Sequence, residues 1–157
     1  AKTNNSNIKF TIIGDGPERK TLENLAKNNN VNLEITGFLS HEDAMHKLEK
    51  MTALIHPCYH ESGGCAVQEG MASGKPIVCL DHGGPGFLIN DDTGIKVEPK
   101  DYDYIINQMS IAIQKLYSNL ELVRELGNNG RESIKEQHTW EAKAKYYIRL
   151  HKDIIER

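Results

Sequence analysis

Residues 61–80 read Glu-Ser-Gly-Gly-Cys-Ala-Val-Gln-Glu-Gly-Met-Ala-Ser-Gly-Lys-Pro-Ile-Val-Cys-Leu. The Gly63-Gly64 pair makes a loop without side chains, a short helix-like segment follows, Gly74 stops it, and Pro76 opens an apolar run of strand composition. A glycine loop that feeds a helix N-terminus offers bare backbone N–H groups to an anion. Glu61 and Glu69 flank that helix start, and a carboxylate accepts hydrogen bonds from sugar hydroxyls. Phosphate and sugar recognised together point to a nucleotide-sugar as ligand.

Working outward, strand and helix signals alternate. Ile8–Ile13 is a β-rich run that ends at Gly14-Asp15-Gly16-Pro17, and Pro17 suits the first position of a helix carrying Leu22, Leu25 and Ala26. Val31–Thr36 reads as a second strand, closed by Gly37-Phe38-Leu39. Ser40 is a candidate N-cap for a helix with Ala44, Met45 and Leu48 on one face. Ala53–His56 is a third strand and Pro76–Leu80 a fourth, followed by a turn at Asp81–Gly86 and a short strand at Gly94–Val97. From Asp103 the chain reads as helix only. Ile105, Ile106, Met109, Ile113 and Leu116 form one apolar face, and a shorter helix with Leu120, Val123 and Leu126 stops near Gly127 and Gly130. Thr139 is expected to cap a terminal helix over residues 139–156, with Trp140, Ala144, Tyr147 and Ile154 facing the body.

This alternation predicts an α/β fold, a Rossmann-like parallel sheet with helices on both faces. Ligands of such sheets sit beyond the carboxyl ends of the strands. The Gly14–Gly16 turn, Gly37-Phe38, the Pro57–Gly64 loop and the Asp81–Gly86 turn all fall on that edge. Gly37-Phe38 reads equally as a ligand-edge turn or as a turn with a core phenylalanine.

Composition sets wide limits. The chain has 157 residues, 38% apolar and 26% charged, with a net charge of −3. Length predicts a single domain, 1–157. No basic cluster argues for nucleic acid, and no apolar run approaches the ~20 residues of a membrane span. Cys58, Cys65 and Cys79 form no Cys-x-x-Cys pair and suit a reducing cytoplasm. The His56-Pro57-Cys58-Tyr59-His60 run matches no standard zinc spacing, so no metal site is expected, and Cys65 reads as a small helix-packing residue.

Taken together, Ile13-Gly14-Asp15-Gly16-Pro17, Thr36-Gly37-Phe38-Leu39, Pro57–Gly64, Glu69-Gly70-Met71-Ala72-Ser73-Gly74-Lys75-Pro76 and Gly83-Gly84 resemble the C-terminal, donor-binding domain of GT-B glycosyltransferases of family 4. Two glutamates with seven residues between them, here Glu61 and Glu69, are that family's signature. The resemblance implies a retaining enzyme that moves a sugar from a UDP- or GDP-sugar to a glycan, lipid or protein acceptor, with no resident cofactor and no metal. It implies that Glu69 accepts from the ribose hydroxyls and that Glu61 holds the donor sugar near its anomeric carbon. Ser62, Gly63 and Gly64 would meet the diphosphate or sugar. Gly37 and Phe38 would edge the base, and Gly14 and Gly16 would admit the nucleotide to the backbone. The Gly83-Gly84 turn is expected to touch the donor.

Two departures from the family follow. Its diphosphate is also gripped by an Arg and a Lys after the domain's first strand, and Ala1-Lys2 would match the end of the helix that follows them. The chain is therefore expected to be a fragment, without the first strand and without the N-terminal domain that is its partner in the full-length enzyme. Peripheral membrane association of that enzyme stays open. In the strand order 3-2-1-4-5-6 the first strand is central. Ile8–Ile13 and Ala53–His56 must then pair directly, admit a foreign strand, or leave open edges. A nucleotide-sugar 2-epimerase of the same fold and a non-catalytic nucleotide-binding module are the alternative readings.

Overall fold

The computed structural model describes residues 7–156. Ala1-Lys2 and most of the asparagine-rich start lie outside the described residues. Strands β1 (Lys9–Ile12) and β2 (Asn32–Ile35) pair in parallel, joined by helix α1 (Arg19–Asn28). Helix α2 (His41–Glu49) leads to a second parallel sheet of order β3-β4-β5, formed by Leu54–His56, Ile77–Leu80 and Gly94–Val97. Helices α3 (Cys65–Ala72) and α4 (Gly83–Leu88) connect its strands. Then come α5 (Tyr102–Ser118), α6 (Leu120–Ser133), a π-helical turn over Ile134–His138, and α7 (Trp140–Ile155).

Strand β4 is buried at all four positions because helices cover both its faces. Its alternation sends Val78 and Leu80 toward Met109, Leu116 and Leu126 of α5 and α6. Ile77 and Cys79 point the other way, onto Val67 and Met71 of α3. Each such apolar side chain contributes about 1.5–3 kcal/mol on burial, so the core sits around β4. Strands β1 and β3 do not pair, and the sheet lies in two pieces. Of the three outcomes foreseen for that seam, direct pairing of the two strands is the one the structure removes. The edge position explains why Ile12 and Ile13 stay exposed.

Several local readings hold. Ser40 Oγ accepts from Asp43 N at 3.0 Å and Thr139 Oγ1 from Ala142 N at 3.2 Å, so both predicted caps form. Other readings need correction. Helix α1 begins at Arg19, not Pro17, because the Gly16 carbonyl takes Arg19 N at 3.1 Å and closes a turn over Pro17-Glu18. Leu25 of α1 is exposed. The Asp81–Gly86 turn is in large part α4.

Gly127 and Gly130 do not stop α6, which runs on to Ser133. A Cβ on Gly127 would stand 2.2 Å from Gly74 O, so its bareness is a packing requirement rather than a helix end. Helix α7 buries none of its residues, with Trp140 84% exposed and Tyr147 and Ile154 exposed too. Nothing among the described residues covers the face expected to dock. Cys65 is likewise exposed, not packed.

The small sheet carries an ion-pair cluster. Glu34 on β2 meets Lys47 of α2 and, at 2.7 Å, Lys9 of β1. Hydrogen bonds from Lys47 and then Lys9 bring its carboxyl from 4.5 to about 2. A carboxyl depressed on folding stabilises the protein above its unfolded value and loses that contribution as pH falls through its folded value. The stability difference between wild type and Glu34→Gln, read by urea melts, is therefore expected to shrink as pH drops from about 5 to about 2. A difference that stays constant over that window would contradict the cluster.

Candidate functional site

Within each sheet the strands run parallel, so the loops leaving their carboxyl ends gather on one edge of that sheet. After β1 and β2 the two turns are fastened to each other. Gly14 and Gly37 form an antiparallel bridge, and Thr36 N donates to Ile12 O at 3.0 Å. Their φ values of 139° and 75° lie where a side chain is strained, which is why glycine stands at both. Arg19 braces the pair from α1, donating to Asp15 at 2.9 Å and to the Ile35 carbonyl at 3.2 Å. The Gly16 N–H and then Arg19 hold the Asp15 carboxyl below its usual value. Phe38, beside Gly37, is 87% exposed, which removes the reading of a core phenylalanine.

The loop after β3 is organised by Glu61. Its Oε1 accepts from Gly63 N at 3.0 Å and from Gly64 N at 2.8 Å. Those two N–H groups, Gly64 first, hold the carboxyl below the ordinary range, with His56 nearby adding to the effect. The glutamate is therefore ionised at neutral pH. Gly64, at φ 63°, is the residue before α3, and a Cβ on it would strike Leu88 at 2.9 Å. Gln68 Nε2 donates back to Gly63 O at 3.0 Å, and Ser62 is exposed at the loop tip.

Beneath this loop lies the start of α4. Cβ atoms on Gly83 and Gly84 would fall 2.4 Å from Glu61 O and 2.3 Å from Ser62 O. Gly84 N donates to Glu61 O at 3.2 Å. At their Cβ positions these two glycines therefore lie against the Glu61 loop, while Gly83 stays exposed. Lys96 of β5 fastens α4 in turn, pairing with Asp81 at 2.9 Å and donating to Gly86 O at 3.2 Å.

Glu69 stands on the second turn of α3, partly exposed, with Oε1 3.9 Å from His41 Nδ1 at the first residue of α2. It is thus the point where the loop after β2 and the helix after β3 approach each other across the seam.

Residues 1–133 match the family described as glycosyl transferases group 1. The chain belongs to that family. It is 34% identical over 134 residues to an uncharacterised glycosyltransferase of Methanocaldococcus jannaschii, covering 84% of this chain and 37% of that protein. It is 33% identical over 149 residues to N-acetyl-alpha-D-glucosaminyl L-malate synthase of Bacillus anthracis, covering 94% of this chain and 38% of the relative. Sucrose-phosphate synthase from Thermosynechococcus elongatus superposes with a TM-score of 0.74 at 28% identity, over 93% of this chain and 38% of that one. The fold is the Rossmann-like α/β arrangement of the GT-B glycosyltransferases. The chain spans little more than a third of the length of these relatives.

In this group 1 glycosyltransferase chain the structure gathers the predicted residues into two clusters. Gly14, Gly16, Gly37 and Phe38 form one, on the β1–β2 side. Glu61, Ser62, Gly63, Gly64 and Glu69 form the other, on the β3–β4 side. No hydrogen bond or ion pair among the described residues joins the Gly14–Gly37 turn to the Glu61–Gly64 loop.

Sequence reasoning missed Arg19, His41, Gln68 and Lys96. Arg19 had a signal, since it falls four residues after Asp15 and four before Glu23, and both pairs form at 2.9 Å. His41 had a weaker one, following the Ser40 cap. Gln68 and Lys96 had none, because a backbone carbonyl partner leaves no mark in the sequence and Asp81 lies fifteen residues from Lys96 on another strand's end. No group of three or more His, Cys, Asp or Glu among the described residues is arranged to hold a metal. Asp101-Tyr102-Asp103 spells an acidic pair, but Asp101 Oδ1 accepts from Tyr104 N at 2.9 Å and serves as the cap of α5. No helix among the described residues is long and apolar enough to cross a membrane.

Proposed function

We propose that this chain is the donor-binding part, a single domain, of a retaining family 4 glycosyltransferase that acts in the cytoplasm. It moves a sugar from a nucleotide-sugar to a glycan, lipid or protein acceptor, and the rest of the full-length enzyme supplies most acceptor contacts. The observation that carries this reading is the Glu61 carboxylate, ionised and fixed through Oε1 at the start of α3 by the Gly63 and Gly64 N–H groups, with no side-chain partner among the described residues. An oriented anion free of side-chain partners is what a donor sugar hydroxyl requires.

The roles follow from position. Glu61 Oε2 accepts from a hydroxyl of the donor sugar and orients its anomeric carbon. Glu69 accepts from the ribose hydroxyls, with His41 at the same place bordering the nucleoside. Phe38 offers an exposed ring to the base, and Gly14, Gly16 and Gly37 leave room for the nucleotide against bare backbone. As the bond from the anomeric carbon to the diphosphate oxygen breaks, negative charge grows on the leaving phosphate. Fixed N–H dipoles on that edge favour this charge without reorganising. The nucleotide-sugar is substrate, and no resident cofactor or metal has a role.

The test is calorimetry on the full chain with UDP, GDP, ADP and their sugars. Glu69→Ala is expected to weaken the nucleotide that binds by about tenfold, the loss of one charged hydrogen-bonding partner. Unchanged affinity would remove Glu69 from the ribose. Product analysis of the full-length enzyme separates transfer from epimerisation, since an epimerase turns over its sugar-nucleotide with no acceptor present.

A further inference from the structure

We propose that Arg19 is a positioning residue that sets nucleobase selectivity, by holding the turns after β1 and β2 at one fixed spacing. The inference rests on the donor-site reading above and adds to it a residue that acts on the ligand only through its neighbours.

The two turns follow different strands, and the backbone joins them by little. Gly14 and Gly37 form a single antiparallel bridge, and Thr36 N donates to Ile12 O at 3.0 Å. Glycine at both bridge positions leaves a freedom of φ that no side chain of their own removes. Arg19 supplies the restraint from α1, because its guanidinium reaches three places at once. Nη2 donates to the Ile35 carbonyl on β2 at 3.2 Å, Nη1 to Asp15 Oδ2 in the first turn at 2.9 Å, and Nε to Glu23 Oε1 on α1 at 2.9 Å. Asp15 passes the restraint on, since its Oδ1 accepts from Gly16 N at 2.8 Å. One rigid plane thus fixes the end of β2, the turn after β1 and the start of α1 relative to each other. A lysine cannot do this, because a single ammonium on a flexible stem holds no fixed angle between partners.

The turns have a covered side and an open one. A Cβ on Gly37 would lie 3.7 Å from both Arg19 Nη1 and Asp15 Oδ2, so the ion pair backs the second turn. A Cβ on Gly14 or Gly16 would meet nothing within 4 Å, and the Phe38 ring is exposed. A flat base therefore comes in on the Gly14, Gly16 and Phe38 side, with Arg19 outside its contacts. Bases differ in width and in the order of donors and acceptors along their edges. Turns held at one spacing match one base and leave polar groups unpaired against another, whereas loose turns fit each base poorly and reject none. The ion pair has little part in stability, since its side chains are 36% and 33% exposed and surface pairs of this kind contribute little.

Calorimetry on the full chain would use UDP, GDP and ADP, with wild type, Arg19→Lys, Asp15→Asn and Glu23→Gln. Wild type is expected to prefer one of the three nucleotides by about tenfold or more. Arg19→Lys should weaken that nucleotide by about tenfold and the others by less than about threefold, so that the preference falls toward parity. Its melting midpoint should stay within about 2 °C of wild type. Asp15→Asn keeps an oxygen for Gly16 N and loses the charge that holds Nη1, so it should move the preference the same way. Glu23→Gln removes charge from a partner on α1 alone and should leave the preference unchanged. Equal weakening of all three nucleotides in Arg19→Lys, or a lowered midpoint with the wild-type preference kept, would make Arg19 a structural brace and leave the donor site standing. A wild type that binds the three alike would overturn the selectivity role in the same way. A wild-type chain that binds none of them would overturn the donor-site reading and this inference with it.

Discussion

Gly127→Ala is expected to lower the thermal unfolding midpoint, although alanine is the better helix former. In an exposed helix the change would stabilise by about 1 kcal/mol. At Gly127 the new Cβ would lie 2.2 Å from the Gly74 carbonyl oxygen and 2.9 Å from its carbon. Backbone stands on both sides of that contact, so neither can swing away like a side chain. Gly74 itself sits at φ 67°, and Arg131 Nε, one turn further along α6, binds Ala72 O at 3.2 Å. Pushing α6 outward would thus disturb the Gly74-Lys75-Pro76 turn that delivers β4, the most buried strand. Overpacking costs about 1–3 kcal/mol, and its upper range applies here. The net loss is about 2 kcal/mol, a fall of roughly 4–8 °C for a domain of this size. Gly130→Ala is the internal control. Its Cβ would find nothing nearer than Met71 Cβ at 3.6 Å, an ordinary contact, so the helix-propensity gain should survive and the midpoint rise. Matching responses at the two positions would mean that α6 does not pack as described.

Gly84→Ala is expected to damage the site with little change in overall fold. The added Cβ would fall 2.3 Å from Ser62 O and 2.8 Å from its carbon, and the Gly84 N bond to Glu61 O would not survive the shift that follows. What moves is the segment that aims the Glu61 carboxylate. A displacement of about 1 Å at a positioned group is enough to cost on the order of a hundredfold in rate. Binding of the intact nucleotide-sugar should fall by about tenfold or more. Nucleoside monophosphates, which in the proposed reading contact only the Glu69 end, should keep their affinity within about threefold, because α3 is held separately by Val67 and Met71 in the core. Equal losses for both ligand types, in a variant whose melting curve is unchanged, would sink the separation of roles.

Much of the arrangement was legible before any coordinates. Short β-rich and apolar runs placed five strands, and the last, Gly94–Val97, falls where it was expected. Ser40 and Thr139 were legible as caps because capping is chemistry between residues three apart. The seam between β1 and β3 was foreseen from strand order. Glycines misled wherever their reason was tertiary. Gly127 and Gly130 carry the local mark of a helix end, yet both sit inside α6, Gly127 because the Gly74 carbonyl leaves no room for a side chain. Trp140 and Tyr147 carry the mark of a docking face, and among the described residues that face is bare, as expected of a terminal helix that returns toward another domain in the family. Cys65 has the size of a packing residue and faces outward.

The sequence alone determined what short-range chemistry can determine: a parallel α/β order, the edge on which the loops collect, and the glutamate pair that flanks a helix start. These follow from periodicity, caps and turn residues, each written within a few positions. Only the tertiary structure decided that Gly83 and Gly84 bed the Glu61 loop at their Cβ positions, that His41 meets Glu69, and that Lys96 ties α4 down. Those outcomes depend on distances between segments remote in the chain. A missing Cβ or an unpaired carbonyl carries no sign in the sequence of which neighbour will come to fill it.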